Sequence, residues 1–278
     1  MRRNPAPEAA FPSGPSPMAI QSSEAIVLNR IPLGDTSLLV TVYARAFGKV
    51  KLVARGARRS KRGTASLLQP YQVITVYFNH RTNRELQQLS KVEAGPYFRQ
   101  IGEDLTKVAY ASAVCELVNR LVLGEEPGEA LFGLIFRTLE AIDRQSAESC
   151  EMLFWRFQIE FADVYGIGPE FTSCLGCGER PEETSVCFSP ALGGILCRDC
   201  QAQDGEAMRI SLGTARLLSR VRELPLENLT RLKPVRTSRR EIQRAIRAFY
   251  LFQMDDGREL KSLKFLESIE EDSRERRQ

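Results

Sequence analysis

The sequence predicts an α+β protein, in which an N-terminal five-stranded OB-fold β-barrel precedes an all-helical domain with an inserted four-cysteine zinc module. Three observations support this prediction. Short β-branched and aromatic runs separated by turn residues fill residues 24–94, and apolar residues at helical spacing dominate after Gly95 and Pro96. Two CxxC pairs lie between the helical segments. The 278 residues are enough for two or three small domains.

The first segment contains five predicted strands. The runs are EAIVLNRI, SLLVTVYA, KVKLVAR, YQVITVYFN and LQQLSKVEA, and PLGD, RAFGK and HRTNRE stand at turns between them. Runs of this length and composition, bounded by Gly, Asp and Asn, are typical of strands. Five short strands in so small a unit fit a closed barrel of the OB-fold type.

Helical patterns fill most of the remaining chain. VAYASAVCELVNRLVL (108–123), EALFGLIFRTLEAI (129–142) and CEMLFWRFQIEFADVYG (150–166) predict three packed helices whose aromatic residues, Trp155 included, form a core. A fourth helix is predicted to begin at Ser211. A fifth covers 237–255 and begins with a capping box, in which Thr237 or Ser238 is paired with Glu241.

These patterns divide the chain into six parts. The Pro-rich, Ala-rich and Ser-rich start is typical of a disordered extension, and the polar end is typical of a frayed tail. The predicted parts are the extension 1–18, the OB-fold DNA-binding domain 19–97, the first helical part 98–169, the zinc module 170–206, the second helical part 207–268 and the polar tail 269–278.

The charges are segregated along the chain. Residues 20–100 carry 13 basic against 4 acidic residues, and residues 101–209 carry 8 basic against 19 acidic residues. Such segregation indicates parts with different partners. A basic first part favours a polyanionic partner, for which nucleic acid is the first candidate.

The strongest basic feature is RGARRSKRG at 55–63, which falls between the third and fourth strands in an exposed connection. Five cations there predict a slope near −3.5 in log K against log salt for single-stranded binding. Without a nucleic-acid partner, the segment is a solvated charged loop. Tyr43, Phe47, Tyr77 and Phe78 are the candidates for base stacking, although strand alternation must bury some of them. The predicted DNA-binding residues are Arg30, Lys49, Lys51, Arg55, Arg58, Arg59, Lys61, Arg62, Arg81 and Arg84.

Four of the seven cysteines form a metal-site pattern. Cys174 and Cys177 precede Cys197 and Cys200 by a 19-residue spacer, which gives C-x2-C-x19-C-x2-C. Each CxxC turn directs two thiolates at one centre, and a hairpin in the spacer brings the two turns together, so the pattern predicts one structural Zn²⁺. The alternatives are a pair of redox dithiols or disulfides. Cys187 is predicted to be a buried strand residue outside this ligand set.

No pattern indicates catalysis. The chain has one histidine, His80, and carries neither GxxxxGK[ST], GxGxxG nor GxSxG. We therefore expect no enzyme activity and no small-molecule substrate. An odd cysteine count, the lack of a signal-peptide pattern and the lack of a long apolar run favour a reducing, cytoplasmic location without a membrane partner.

An ordered set of motifs resembles the RecO family of bacterial recombination mediators and DNA repair proteins. The motifs are AIVLNRIPLGDTSLLVTVYARAFGKVKLVARGARR, then FQIEFADVYGIGPEFTSCLGCG with FSPALGGILC, and finally GRELKSLKFL. The resemblance covers residues 19–268. It implies an OB-fold, a helical domain with a four-cysteine zinc module, and nucleoid-associated function in a bacterial cytoplasm.

The resemblance also implies an activity and partners. RecO proteins bind single- and double-stranded DNA and anneal complementary strands, and with RecR they help to load RecA onto DNA coated by single-strand DNA-binding protein (SSB). They recognise the acidic C-terminal tail of SSB through the helical domain. For that contact the predicted helix offers Arg239, Arg240, Arg244 and Arg247 beside Phe249, Tyr250 and Phe252.

Other functional classes remain open on the residues alone. An RNA-binding or transcription-associated protein could combine an OB barrel with a zinc ribbon, and comparison of DNA with RNA of the same sequence separates it from a DNA-binding mediator. A thiol-redox enzyme would show disulfide reductase activity without stoichiometric zinc. A scaffold that binds only proteins would show weak, salt-insensitive behaviour toward DNA.

Overall fold

The computed structural model describes residues 20–60, 63–81, 84–124, 128–254, 260–265 and 268. The predicted extension 1–18 and tail 269–278 lie outside these residues. So do Lys61 and Arg62, two of the predicted DNA-binding cations.

The five predicted strands are confirmed and close into a barrel. Neighbouring strands are antiparallel except for β3 and β5, which pair in parallel, and β4 closes the barrel against β1 in the order β1-β2-β3-β5-β4. This is the five-stranded arrangement expected of an OB-like fold. The strands are β1 (Ile20–Leu33), β2 (Ser37–Ala44), β3 (Gly48–Ala54), β4 (Val73–Asn79) and β5 (Leu86–Ala94).

Side-chain alternation fills the barrel and exposes its cations. Along β3, Val50 and Leu52 are buried, whereas Lys49 and Lys51 point outward. The interior is closed by β-branched residues and by the fully buried Phe78. Because successive side chains of a strand face opposite sides, the same strands supply both the core and the basic outer surface.

The helical predictions are confirmed to within a few residues at their ends. Asp104 caps α2 by accepting hydrogen bonds from the backbone N–H groups of Thr106 and Lys107, and Ser211 caps α5 by accepting from that of Thr214. None of the helices in the described ranges is long and apolar enough to cross a bilayer. The helices are α1 (Thr64–Leu67), α2 (Leu105–Leu121), α3 (Glu129–Arg144), α4 (Cys150–Val164), α5 (Leu212–Glu223) and α6 (Arg236–Met254).

The predicted capping box of α6 is wrong. The helix already includes Thr237 and Ser238, and Glu241 bonds to a different helix. Its carboxylate accepts hydrogen bonds from the Ser211 backbone N–H (3.1 Å) and the Thr214 hydroxyl (2.5 Å) at the start of α5. Glu241 therefore joins α6 to the N-terminus of α5, where a carboxylate also complements the helix dipole.

The cysteine-containing segment folds as a small sheet packed on the helices. The predicted hairpin is confirmed as β6 (Ser185–Ser189) and β7 (Gly194–Leu196), and β8 (Met208–Ser211) pairs with the other edge of β6. Phe188 and Ile195 are buried in the same apolar core as the residues of α2–α4. The sheet is therefore continuous with the helical core.

The barrel and the helices also share that core. Ile26, Leu28, Tyr43 and Val73 of the barrel are buried in the apolar cluster that contains the helical residues. The Arg45 guanidinium lies 4.4 Å from the centre of the Phe132 ring of α3. The barrel is thus packed directly on α2 and α3.

Candidate metal centre and nucleic-acid interface

The structure brings the four predicted metal ligands together. One sulfur atom from each of Cys174, Cys177, Cys197 and Cys200 lies within 4.8 Å of the other three, and the Cys177 and Cys197 sulfurs are 3.9 Å apart. Four thiolates around one zinc ion stand about 3.8 Å from each other, given Zn–S bonds of about 2.3 Å. The cluster therefore has the size and the donor set of a closed tetrahedral metal site.

The thiols of this cluster differ in their protonation. Burial acts to raise the pKa of Cys174, but backbone N–H groups of both CxxC turns, among them that of Cys197 at 3.2 Å, outweigh it and lower the pKa to about 6. A bond to the Cys197 sulfur raises the pKa of Cys200 to about 12. Four thiolates this close repel one another, and a divalent cation would supply the charge that compensates this repulsion.

The first CxxC turn requires a glycine. A Cβ atom on Gly176 would lie 2.7 Å from the Cβ and 2.8 Å from the sulfur of Cys200, closer than real Cβ contacts. Gly205, on the loop after the second pair, has open space around the equivalent position. The glycine at 176 therefore lets the two CxxC turns approach each other.

We expect Gly176→Ala to lower metal content to well below one equivalent, because the added methyl group displaces Cys200 from the cluster. Elemental analysis of the purified protein measures this, with Gly205→Ala as the matched control that should keep its metal. Full metal content in the Gly176→Ala protein would contradict the tight approach of the two turns.

The remaining thiols lie away from the cluster. Cys187 lies on β6, as predicted, but is half-buried rather than fully buried, and its sulfur lies 3.5 Å from the Gln201 side-chain oxygen. Cys115 and Cys150 are buried in α2 and α4, and burial raises the pKa of each to about 12. Such thiols are unreactive toward oxidants and metals.

The described part of the basic segment forms a folded, arginine-bearing connection after β3. Arg55, Arg58 and Arg59 are exposed there, and Arg58 and Arg59 belong to a short 3₁₀ turn over Ala57–Arg59. The backbone N–H of Arg58 donates to the Thr36 carbonyl (3.0 Å), which fixes the turn against the β1–β2 connection. The prediction that these cations lie outside the strands is confirmed.

Two further arginines lie beside this connection. Arg81 and Arg84 belong to the β4–β5 turn, and together with Arg55 they line a cleft of about 350 Å³ on the outside of the barrel. Parallel pairing of β3 with β5 places the end of β3 next to the start of β5. Arg55 thus belongs to the basic segment and also lines the cleft with Arg81 and Arg84. We group the exposed arginines of the basic segment with those of the β4–β5 turn and call them the arginine path: Arg55, Arg58, Arg59, Arg81 and Arg84.

Three predicted DNA-binding cations have other roles in the structure. The Lys49 ammonium donates to the carbonyl oxygens of Asn119 (2.6 Å) and Val122 (2.7 Å) at the C-terminal end of α2. Burial, and secondarily the nearby Lys51 charge, lowers the pKa of Lys49. Because its donors are used between the barrel and α2, we remove Lys49 from the predicted interface.

Arg30 and Lys51 remain candidates for the interface, although each already has a partner within the protein. The Arg30 guanidinium donates to the Ala65 carbonyl (2.8 Å) and so holds α1, which follows the basic segment. Lys51 forms an ion pair with Glu85, whose carboxylate is largely exposed. Exposed ion pairs are worth little, so a phosphate could replace that carboxylate.

The aromatic candidates for base stacking do not present open rings. Tyr43 and Phe78 are buried, so the stacking prediction is wrong for both. Phe47 packs against Phe78 and His80, with ring centres 5.2 and 5.0 Å away. The Lys91 ammonium lies 5.2 Å from the centre of the Tyr77 ring. The basic outer surface of the barrel therefore offers guanidinium groups rather than stacking platforms.

A second surface feature is a groove of about 630 Å³ between α2, α4, α6 and the segment 260–265. Its apolar floor includes Phe154, Trp155 and Tyr250, and the Tyr250 hydroxyl donates to the Gln158 carbonyl (2.6 Å). Three of the four arginines predicted to bind an acidic tail line this groove: Arg240, Arg244 and Arg247.

The fourth predicted arginine does not line the groove. Arg239 instead forms an ion pair with Glu151 (2.6 Å), which keeps that acid occupied at the groove wall. Within the described ranges, the guanidinium groups of Arg240 and Arg244 make neither an ion pair nor a hydrogen bond. Phe249 is buried and Phe252 is exposed, so of the three predicted aromatics only Tyr250 lines the groove.

Sequence reasoning missed the remaining groove walls. Arg120 of α2 and Lys264 also line it, and Glu116 of α2 holds the C-terminal segment by accepting from the Ser262 N–H (3.0 Å) and hydroxyl (2.6 Å). The contact joins residues 146 positions apart in the chain, and no local sequence pattern predicts it.

Comparison with known families agrees with this geometry. The family model "Recombination protein O N terminal" matches residues 18–97, and "Recombination protein O C terminal" matches residues 102–264. "DNA repair protein RecO" of Symbiobacterium thermophilum is 31% identical over 91% of this chain and 98% of its own length. The protein of the same name from Syntrophus aciditrophicus is 30% identical over 91% of this chain and 97% of its own length. That from Desulforamulus reducens is 28% identical over 91% of this chain and 96% of its own length.

Proposed function

Because the chain belongs to the RecO family of DNA repair and recombination proteins, we propose that it is a non-catalytic recombination mediator. It binds single- and double-stranded DNA, anneals complementary strands and, with RecR, helps to load RecA onto SSB-coated DNA. It works on the nucleoid in the cytoplasm. The observation that carries this proposal is the arginine path on the outside of the OB-like barrel.

The arginine path suits a DNA backbone. Its guanidinium groups bind phosphate oxygens in a bidentate manner, and each neutralised phosphate releases counterions. The proposed interface consists of the arginine path together with Lys61 and Arg62, which belong to the basic segment 55–63. Arg30 and Lys51 are proposed to lie at the edges of this interface.

Annealing follows from the same chemistry. Two strands repel each other through their phosphates, and a basic surface that neutralises both holds them close while bases search for partners. The aromatic side chains of the barrel are engaged elsewhere, so the strands are held through their phosphates rather than by stacking of their bases. The binding should therefore show weak sequence preference, and no residue has to perform bond chemistry.

The cysteine cluster is proposed to hold one structural Zn²⁺. Cys174, Cys177, Cys197 and Cys200 would all be ligands, which leaves no position for a water molecule. The ion supplies charge and a cross-link between the two turns, and takes no part in DNA chemistry. The buried side chains of Phe188 and Ile195 transmit that cross-link to the helical core.

The groove is proposed to bind the acidic C-terminal tail of SSB. Arg240 and Arg244 would receive its carboxylates, and the apolar floor around Trp155 would receive its hydrophobic side chains. Trp155 is the only tryptophan of the chain, so its fluorescence reports occupation of the groove directly. A fluorescence titration with an SSB-tail peptide is the direct test of this contact.

DNA binding is tested by a salt titration. We expect the variant Arg55→Ala/Arg58→Ala/Arg59→Ala to bind a fluorescent single-stranded oligonucleotide with a salt slope shallower by about 2, because about 0.7 ions are released per phosphate contact. Fluorescence anisotropy at several salt concentrations measures the slope, with RNA of the same sequence as a second ligand.

The control removes equal charge elsewhere. Arg137→Ala/Arg144→Ala/Arg216→Ala changes three exposed arginines of α3 and α5 and should keep the wild-type slope. Equal slopes in both variants and wild type would mean that the arginine path does not contact DNA. Tighter binding to RNA than to DNA would favour the RNA-binding alternative instead.

A further inference from the structure

The β4–β5 turn is anchored at both ends before it presents its arginines. His80 enters the turn with its ring packed 5.0 Å from Phe47 and 6.0 Å from Phe78. At the other end, Glu85 pairs with Lys51 of the neighbouring strand. The turn therefore rests on the barrel, although its arginines face outward.

The Gln87 side chain forms hydrogen bonds to the backbone of the β4–β5 turn. Its side chain is 1% exposed and lies one residue after the start of β5. Its oxygen accepts from the Arg81 backbone N–H (2.9 Å), and its amide nitrogen donates to the carbonyl oxygens of Arg81 (2.8 Å) and Arg84 (2.7 Å). One buried amide thus bonds both backbone groups of Arg81 and the carbonyl group of Arg84.

Only a primary amide of this length fits all three bonds. The side chain must accept a hydrogen bond from a backbone N–H and donate two hydrogen bonds to carbonyl oxygens. The glutamine amide does both, because its oxygen accepts and its nitrogen carries two donor hydrogens. A carboxylate could accept from Arg81 but would repel the two carbonyl groups. A buried polar group with all of these bonds made is rigid, and it fixes the backbone to which it is bonded.

We infer that Gln87 is the positioning residue of a phosphate-binding subsite, in which Arg55, Arg81 and Arg84 receive a phosphodiester of the DNA backbone. This inference rests on the DNA-binding function proposed above. The cleft that these arginines line, about 350 Å³, is at the small end of ligand sites and suits a phosphate with its flanking sugars. Gln87 holds two of the three arginines in place through their backbone and itself does not touch the DNA.

Arginines on a fixed backbone lose less conformational entropy when they bind phosphate than arginines on a mobile backbone. A long basic side chain on a loose turn must be ordered when it binds phosphate, and that ordering opposes binding. The backbone of Arg81 and Arg84, held by three hydrogen bonds to Gln87, is already fixed in the folded protein. The subsite should therefore contribute more to affinity than the other exposed arginines of the arginine path.

A double-mutant cycle tests the inference. Gln87→Met keeps the side-chain length and loses all three bonds, and it is measured in the wild-type background and in Arg81→Ala/Arg84→Ala. In wild type it should weaken binding of a single-stranded oligonucleotide and reduce the salt slope by about 1.4, the value for two phosphate contacts. In the Arg81→Ala/Arg84→Ala background it should change neither quantity.

The matched control lies beside Gln87. Gln88 lines the same cleft, but its amide donates to Val53 and Leu89 of the strands rather than to the turn, so Gln88→Met should leave the slope unchanged. If Gln87→Met does not fold, Gln87→Asn replaces it, because the amide is kept but is one methylene too short to make all three bonds. The same cycle is then expected.

The outcomes separate the two proposals. An equal loss from the Gln87 variant in both backgrounds, or no loss in either, overturns the positioning role while DNA binding stands. If wild type itself shows no salt-dependent DNA binding, the proposed function fails and the subsite fails with it. Binding of an SSB-tail peptide, followed by Trp155 fluorescence, verifies in each variant that the helical region is folded.

Discussion

Replacing Cys174 and Cys197 with serine is expected to abolish zinc retention and to lower the free energy of unfolding by about 3–5 kcal/mol. Structural zinc sites in small modules are worth about 10–16 kcal/mol in apparent binding free energy. Here part of the module is also held by apolar packing, since Phe188 and Ile195 are buried in the helical core. Only a fraction of the metal energy should therefore be lost, yet that fraction is large against a total stability of about 5–15 kcal/mol.

The loss of stability should extend beyond the two CxxC turns. The backbone N–H of Leu175, next to the first ligand, donates to the Ile195 carbonyl (2.9 Å), so the metal-held turn is bonded to the strand that carries a core residue. Urea unfolding followed by the fluorescence of Trp155, which is 3% exposed in the same apolar cluster, reports that spread. Elemental analysis gives the metal content of the same samples.

Cys187→Ser is the control for this experiment. The residue lies on β6 close to the cluster and bonds only weakly to Gln201, so its replacement should keep both the zinc and the stability. A wild-type protein that is purified with one zinc and unfolds at the same urea concentration after chelation would contradict the structural role. Disulfide reductase activity in the wild type would favour the redox alternative.

The local patterns predicted the elements because each element has a local cause. Alternating β-branched residues predicted the five strands, and the C-x2-C-x19-C-x2-C spacing predicted that the four cysteines lie together. Patterns of this kind are read within a window of a few residues. The same is true of the Ser211 cap, which was recognised from its own neighbours.

The failures concern residues whose partners come from elsewhere in the chain. The sequence predicts Lys49 as a cation that extends the basic path over the barrel face, but its ammonium donates to two carbonyl groups at the C-terminal end of α2. Glu241 has the spacing of a capping box, but its carboxylate accepts hydrogen bonds at the N-terminus of α5 instead. Charge and spacing do not encode which helix packs against which strand.

The two surface features have the same origin. Arg55 and Arg84 lie in different connections, and the parallel pairing of β3 with β5 brings them to one cleft. The groove likewise requires α2, α4, α6 and the segment 260–265 to meet. From the sequence, α6 predicted one wall of the groove and Tyr250 of its floor, but not the contributions of Phe154 and Trp155.

Reversing the charge of Arg240 and Arg244 is expected to weaken binding of an SSB-tail peptide by at least about 100-fold. Each charge-assisted hydrogen bond is worth about 1.5–3 kcal/mol, and about 1.4 kcal/mol corresponds to tenfold in affinity. The two side chains stand one helical turn apart on the exposed edge of the groove, so Arg240→Glu/Arg244→Glu also adds repulsion toward the carboxylates of the peptide.

The measurement is the Trp155 fluorescence titration, repeated with DNA in place of peptide. Arg216→Glu/Arg220→Glu is the matched control, since it reverses two exposed arginines at the same spacing on α5 and should bind the peptide as wild type does. DNA affinity should fall equally in both variants, because each lowers the net charge by the same amount. The salt slope should stay at its wild-type value in both, because neither variant removes a residue of the arginine path. Peptide affinity that also falls equally in both variants would show that the groove attracts acidic peptides only through net charge. Unchanged peptide affinity in Arg240→Glu/Arg244→Glu would place the acidic tail at another surface, because a tail seated between these arginines and the apolar floor cannot tolerate the reversal.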